Sequence, residues 1–182
     1  MKLHEVHNPK QQEDKLLEDA MWWVQRWISG SMRNPEWDAS TNQLTLDQAF
    51  HVVQRTIKPS VPPLLWRYIV VNKDTAQKII THKRLPQAKY RYQSFTVSRN
   101  LAIEVGQDIN PYTLPKGKVG LLISAKIPHS LVMFNTQDLF ENKNRVIRNM
   151  LAPLSDWEHQ QEVVVKVDVP LQLHSAEIIA HL

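Results

Sequence analysis

At 182 residues the chain is long enough for one domain that buries roughly 70% of the surface its unfolded form exposes. Hydrophobic residues make up 42% and charged residues 22%, which reads as globular, and the lack of cysteine excludes disulfides, thiolate metal sites and a cysteine nucleophile. A net charge of +4 and a pI near 9.3 favour an acidic partner only weakly.

The opening residues, "MKLHEVHNPKQQEDK", hold no apolar core before a cleavage signal. No later run approaches the roughly 20 apolar residues of a membrane span, so the expectation is a cytoplasmic protein where it is made. One domain over 1–182 is expected, with a helical part over 1–60 and a mixed β core over 61–182. From Gln11 to Ser29, Leu16, Leu17, Ala20, Trp23, Val24, Trp27 and Ile28 recur at spacings of three and four, one helix face closed by Gly30. The tryptophan stripe is read as core packing rather than a ligand site. A second helix is predicted from Thr45, with Leu46, Ala49, Phe50, Val53 and Ile57 inward, stopping before Pro59.

After "KPSVPP" the pattern changes. "LLWRYIVV" (64–71) is a short apolar run with one arginine inside it. "DTAQKIITHK" (74–83) is a helix with Asp74 as its expected N-cap. "YRYQSFTV" (90–97) alternates as a strand does, and "RNLAIEVGQDINPYTLPKGK" (99–118) reads as a loop. "GLLISAKI" (120–127) and "QEVVVKVDV" (161–169) are strand-like, and "LQLHSAEIIAHL" is either a last strand or a tail. Several strands without regular βα alternation give the α+β class.

Familiar site signatures are missing. The four glycines, Gly30, Gly106, Gly117 and Gly120, do not form a phosphate loop or a dinucleotide fingerprint. His4 and His7 lack the further ligands a zinc site needs, so no metal is expected. Ser155, Asp156 and His159 are too close in sequence to be read as a nucleophilic triad, which is normally assembled from separated segments.

What remains is three polar interruptions of three apolar strands: Arg67 in "LLWRYIVV", Ser94 and Thr96 in "YQSFTV", and Glu162 at the head of "EVVVKV". A buried guanidinium is costly unless it meets an anion that it can grip with parallel hydrogen bonds. Either Arg67 and Glu162 pair with each other as structure, or both face a ligand.

In their order, "LLWRYI", "YQSFTVSRNLA" and "HQQEVVV" resemble the arginine–serine–glutamate branch of the ADP-ribosyltransferase superfamily, over roughly residues 60–170. The middle motif departs from the family's commonest Ser-Thr-Ser form, since Phe95 and Thr96 follow Ser94. The resemblance implies N-terminal helices packed on a split two-sheet β-sandwich with an NAD cleft. It implies an enzyme that breaks the nicotinamide–ribose bond and passes ADP-ribose to an acceptor, with NAD as co-substrate and no metal. Arg67 would bind a diphosphate or ribose oxygen, and Ser94 and Thr96 would contact NAD, with the serine role placed on Ser94 and the share of each left open. Ser94 would direct the Glu162 carboxylate, which would stabilise the oxocarbenium-like ribose as nicotinamide leaves.

The resemblance also assigns the acceptor to the residue two before the glutamate. Gln160 there implies a non-arginine acceptor, since an amide suits another amide or a nucleobase edge. Trp157, three residues earlier, either stacks on the acceptor, worth roughly 1–3 kcal/mol on a base, or packs on its own loop. Tyr112 or Tyr92 is a candidate for stacking on nicotinamide. Lys116 and Lys118 meet either phosphates or solvent, with solvent the better reading. The acceptor is left open between protein and nucleic acid, the latter favoured slightly by charge, by Trp157 and by "THKR" with Lys89 and Arg91. The compact size is more similar to phage and intracellular bacterial members than to a whole secreted toxin. The competing classes are a non-enzymatic basic binding module for nucleic acid or protein, and an NAD glycohydrolase that gives ADP-ribose to water.

Overall fold

A computed structural model of the chain describes residues 8–30, 43–86, 91–109 and 114–179, with backbone alone for 108, 109 and 157–160. It has α+β architecture and divides into two compact units: residues 1–59 with 136–159, and 60–135 with 160–182.

The first unit is helical. α1 (Pro9–Ile28) starts where Asn8 accepts the Lys10 amide and Pro9 pre-sets the first turn. It buries Leu17, Ala20, Met21, Trp23, Val24 and Ile28, while Leu16 stays exposed, and Gly30 follows at φ +64°. α2 (Leu46–Ile57) opens on a reciprocal capping box between Thr45 and Gln48 and buries Ala49, Phe50, Val52 and Val53. Trp27 meets Phe50 edge-on with ring centroids 5.5 Å apart, and the Trp23 indole donates to the Leu44 carbonyl at 2.9 Å. α5 (Thr136–Phe140) and α6 (Arg145–Leu151), the latter capped by Asn144, belong to this unit, and the Gln25 amide donates to the Met150 carbonyl of α6. A 3-10 segment over Ala152–Gln160 leads out of it.

The second unit is built on a six-stranded antiparallel sheet. In chain order its elements are β1 (Leu65–Asn72), α3 (Lys73–His82), β2 (Arg84–Leu85), β3 (Tyr92–Thr96), α4 (Arg99–Ile109), β4 (Lys118–Ala125), β5 (Val132–Asn135), β6 (Glu162–Lys166), β7 (Leu171–Gln172) and β8 (Ser175–Ile179). The sheet order is β5-β6-β3-β1-β4-β8, and β2 and β7 form a separate two-stranded ribbon. "LLWRYIVV" lacks strand alternation because both of its faces are covered. Leu65, Ile69 and Val71 join one core with Ala76 and Ile79 of α3, Phe95 of β3, Ile123 of β4 and Val163 of β6. Trp66, Tyr68 and Val70 join another, with Leu122 and with Ala102 and Ile103 of α4.

Two expectations are corrected. Residues 99–109 are a helix rather than part of a loop: the Ser98 hydroxyl accepts the Leu101 amide, its carbonyl accepts that of Ala102, and Ala102 and Ile103 dock on β1. The N-cap of α3 is Asn72, without a side-chain cap bond, and Asp74 lies inside the first turn. The final segment forms strands, β7 and β8.

The sheet is unevenly joined. β1 pairs with β4 over eight residues, from Leu65↔Ala125 to Asn72↔Lys118, and β3 pairs with β6 over five. Between β1 and β3 there is one register pair, Trp66↔Thr96. The halves β5-β6-β3 and β1-β4-β8 therefore part beyond a single rung. Tyr68 is clamped on the second half: a Cβ on Gly106 of α4 would lie 2.4 Å from its ring, and one on Gly120 of β4 would lie 1.8 Å from its hydroxyl.

Candidate functional site

Four of the singled-out residues, Arg67, Ser94, Thr96 and Glu162, lie on β1, β3 and β6 beside this single rung. β3 and β6 pair with Thr96 opposite Glu162 and Ser94 opposite Val164. Because Phe95 and Val163 turn into the first core, the strand period puts Ser94, Thr96 and Glu162 together on the other face. Ser94 and Glu162 are diagonal neighbours there, at a spacing that lets side chains interact. The Thr96 hydroxyl accepts the Ser98 amide at 3.5 Å, which ties it to the turn into α4.

Arg67 comes from the opposite side. By alternation it shares a face with Leu65 and Ile69, and its guanidinium carbon lies 5.8 Å from the Phe95 ring centroid. From there it crosses the parting, and its Nη1 donates to the Ser94 carbonyl rather than to the Ser94 hydroxyl. Its Nε is enclosed and has no hydrogen-bond partner among the described residues. Burial pulls the Arg67 guanidinium well below its usual range, to about 10, against the opposing pull of the Glu162 carboxylate, which favours the cation. The Glu162 carboxylate thus lies near enough to Arg67 to act on its charge.

Glu162 is aimed by an unusual backbone. Gln161 sits in the left-handed region at φ +45°, directly before β6. A long non-glycine side chain pays on the order of 1 kcal/mol for that conformation. The turn ends the 3-10 segment and starts the strand within one residue.

Trp66 was not singled out by sequence reasoning. Paired with Thr96, it presents its half-buried indole on the face that carries Ser94 and Glu162. The available signal was its place just before Arg67 in a strand, since neighbours in a strand face opposite ways.

Other candidates fall elsewhere. Tyr112 lies outside the described residues, as do Lys89, His4, His7 and the side chains of Trp157, His159 and Gln160. Tyr92 is buried opposite Lys166, at the far end of β3 from Glu162, which makes it core. Lys116 and Lys118 are exposed. Among the described residues no helix is long and apolar enough to cross a membrane, and no three His, Asp or Glu side chains group as metal ligands do.

Comparison with known proteins returns no matching family model, no matching curated protein and no matching solved structure. The residues and their arrangement carry the functional reading alone.

Proposed function

We propose that the protein is an NAD-dependent mono-ADP-ribosyltransferase acting on a non-arginine acceptor, with the opening between the two half-sheets as its NAD cleft. In this reading the six strands work as two three-stranded sheets hinged at Trp66↔Thr96. The observation that carries it is Arg67: a guanidinium held in an apolar strand, with an enclosed Nε that no group among the described residues satisfies. An unmet buried donor costs about 1–3 kcal/mol, a cost that a phosphate or ribose oxygen entering the parting would remove.

The roles proposed are those the resemblance implies, with Trp66 added from its register with Thr96. Arg67 receives the diphosphate side of NAD. Ser94 keeps Glu162 from swinging, and Trp66 offers a ring face for stacking. Glu162 engages a ribose hydroxyl and stabilises the positive ribose ring that forms as nicotinamide departs, a charge present in the transition state and not in the ground state. Gln160 and Trp157, two and five residues before Glu162, select the acceptor.

The test is incubation with NAD labelled in its adenylate half and a cell extract, wild type beside Glu162→Ala, with protein and nucleic-acid fractions counted separately. Label that disappears in the variant is the expected result. NAD loss without label in either fraction would instead indicate hydrolysis to ADP-ribose. No NAD consumption by the wild type in several extracts would overturn the enzymatic reading and leave a binding module braced by Arg67.

A further inference from the structure

The two units differ in charge. The helical unit has ten Lys and Arg against twelve Asp and Glu, whereas the sheet unit has twelve against six, so the whole positive excess belongs to the sheet unit. Half of its cations lie along one tract. Lys73 and Lys78 flank the exposed side of α3, whose inward side is Ala76 and Ile79. Lys83 and Arg84 continue it into β2. At the other end the Lys73 amide donates to the Gly117 carbonyl at 3.1 Å and Asn72 pairs with Lys118, which brings Lys116 and Lys118 to the start of the helix. All six are exposed, and among the described residues none of their side chains forms an ion pair, in contrast to Lys15 with Asp19 and Arg99 with Glu177. Asp74 is the one acid on α3.

Unpaired like charges along one tract repel each other, and that repulsion is relieved by a polyanion. Gln77 and Thr81, exposed between the cations, add neutral hydrogen-bonding groups. The exposed large hydrophobic residues, Leu16, Val105, Val169 and Ile178, lie on neither α3 nor β2. A membrane surface would call for an apolar face to insert, and a protein partner for an apolar or aromatic anchor. A charged tract with neither on α3 or β2 among the described residues fits a nucleic-acid backbone, whose phosphates are bound by Lys and Arg regardless of sequence. The helix of ten residues is about 15 Å long, so the tract spans several phosphates.

We infer that α3, β2 and the turn before β4 form a docking surface for a nucleic-acid strand. The docking itself needs no NAD. Its use, presenting a nucleic acid as the ADP-ribose acceptor, rests on the transferase reading above.

The experiment measures binding of a fluorescein-labelled 20-nucleotide single-stranded DNA by anisotropy, without NAD, from 50 to 200 mM KCl. With five phosphates neutralised, log K should fall against log salt with a slope of about −3.5, a loss of roughly 100-fold over that range. The variant Lys78→Gln/Lys83→Gln/Arg84→Gln should bind at least 10-fold more weakly at 50 mM, with a slope near about −1.4. Lys10→Gln/Lys58→Gln/Lys143→Gln removes the same charge from the helical unit and should bind as wild type does. Acetylation footprinting of the wild type gives a second readout that requires no variant: the oligonucleotide should shield Lys73, Lys78 and Lys83 and leave Lys10 and Lys143 reactive. Equal loss in both variants, no binding by the wild type at 50 mM, or equal binding of polyglutamate or phosphatidylserine vesicles would overturn the inference. Because NAD turnover is read separately, failure here leaves the transferase reading standing, and the reverse also holds.

Discussion

Replacing Arg67 by Met separates a structural role from a ligand-binding one. The drop of the guanidinium from its ordinary value to about 10 corresponds to a cost on the order of 3 kcal/mol for holding the charge in its site. The folded value is the lower one, so the cost applies at every pH below about 10 and is relieved only as pH rises from there towards the ordinary guanidinium value. Met is unbranched and fills the same slot without a charge. The variant gives up the bond to the Ser94 carbonyl, worth about 1 kcal/mol. The balance is a gain of about 1–2 kcal/mol, or about 2–8 °C in Tm for a chain of this size. Thermal unfolding followed by circular dichroism, with and without NAD, is the assay. Wild type in NAD at ten times Kd should rise by about 3–6 °C. Arg67→Met should start higher and not respond. A variant that melts several degrees below wild type would refute the reasoning, because Arg67 would then be a brace between β1 and β3. A variant that responds to NAD as wild type does would refute the assigned contact.

Gly120→Ala should destabilise by more than about 2 kcal/mol, since its Cβ would land 1.8 Å from the Tyr68 hydroxyl while Gly106 blocks retreat, and Tyr68→Leu in the same chain should recover part of the loss in urea unfolding. Tyr68→Phe should be neutral or gain up to about 1 kcal/mol, because the hydroxyl it removes is buried without a partner among the described residues. Burial raises the Tyr68 pKa above 10, so its contribution to stability is intact below about pH 10 and is lost as pH climbs through the higher folded value. The wild type should accordingly show a late-ionising phenol at 295 nm that Tyr68→Phe lacks. Gln161→Gly relieves the left-handed strain and should leave stability within about 1 kcal/mol of wild type, whereas Gln161→Val should cost about 1–2 kcal/mol in the same urea unfolding.

Much of the fold was legible where local chemistry decides it. The face of α1 and the Thr45 start of α2 follow from apolar spacing and from a capping pair, both set within a few residues. Residues 99–109 were misread because Gly106 and the polar stretch after it look like a loop, while what holds the helix is Ala102 and Ile103 packing on a strand thirty residues away, together with the slot Gly106 makes for Tyr68. β5, with α5 and α6 after it, is too short to display a period. In the candidate site, the residue types of Arg67, Ser94 and Glu162 were legible as polar breaks in apolar strands. Their relation was not, because it depends on register. Pairing puts Thr96 opposite Glu162 and sends Arg67 across from the other face to a backbone carbonyl. Trp66 likewise gained significance only from the rung it shares with Thr96.

The clamp on Tyr68 has a consequence for recognising distant relatives. Two of the chain's four glycines are committed to one ring. Positions 68, 106 and 120 therefore cannot drift independently: a relative that gains a side chain at either glycine must shrink residue 68, and one that keeps an aromatic there must keep both gaps. Such a compensating trio, spread over a strand, a helix and the next strand, persists as a volume constraint after pairwise identity has decayed. It offers a way to align descendants of this fold whose polar letters at positions 67, 94 and 162 have changed.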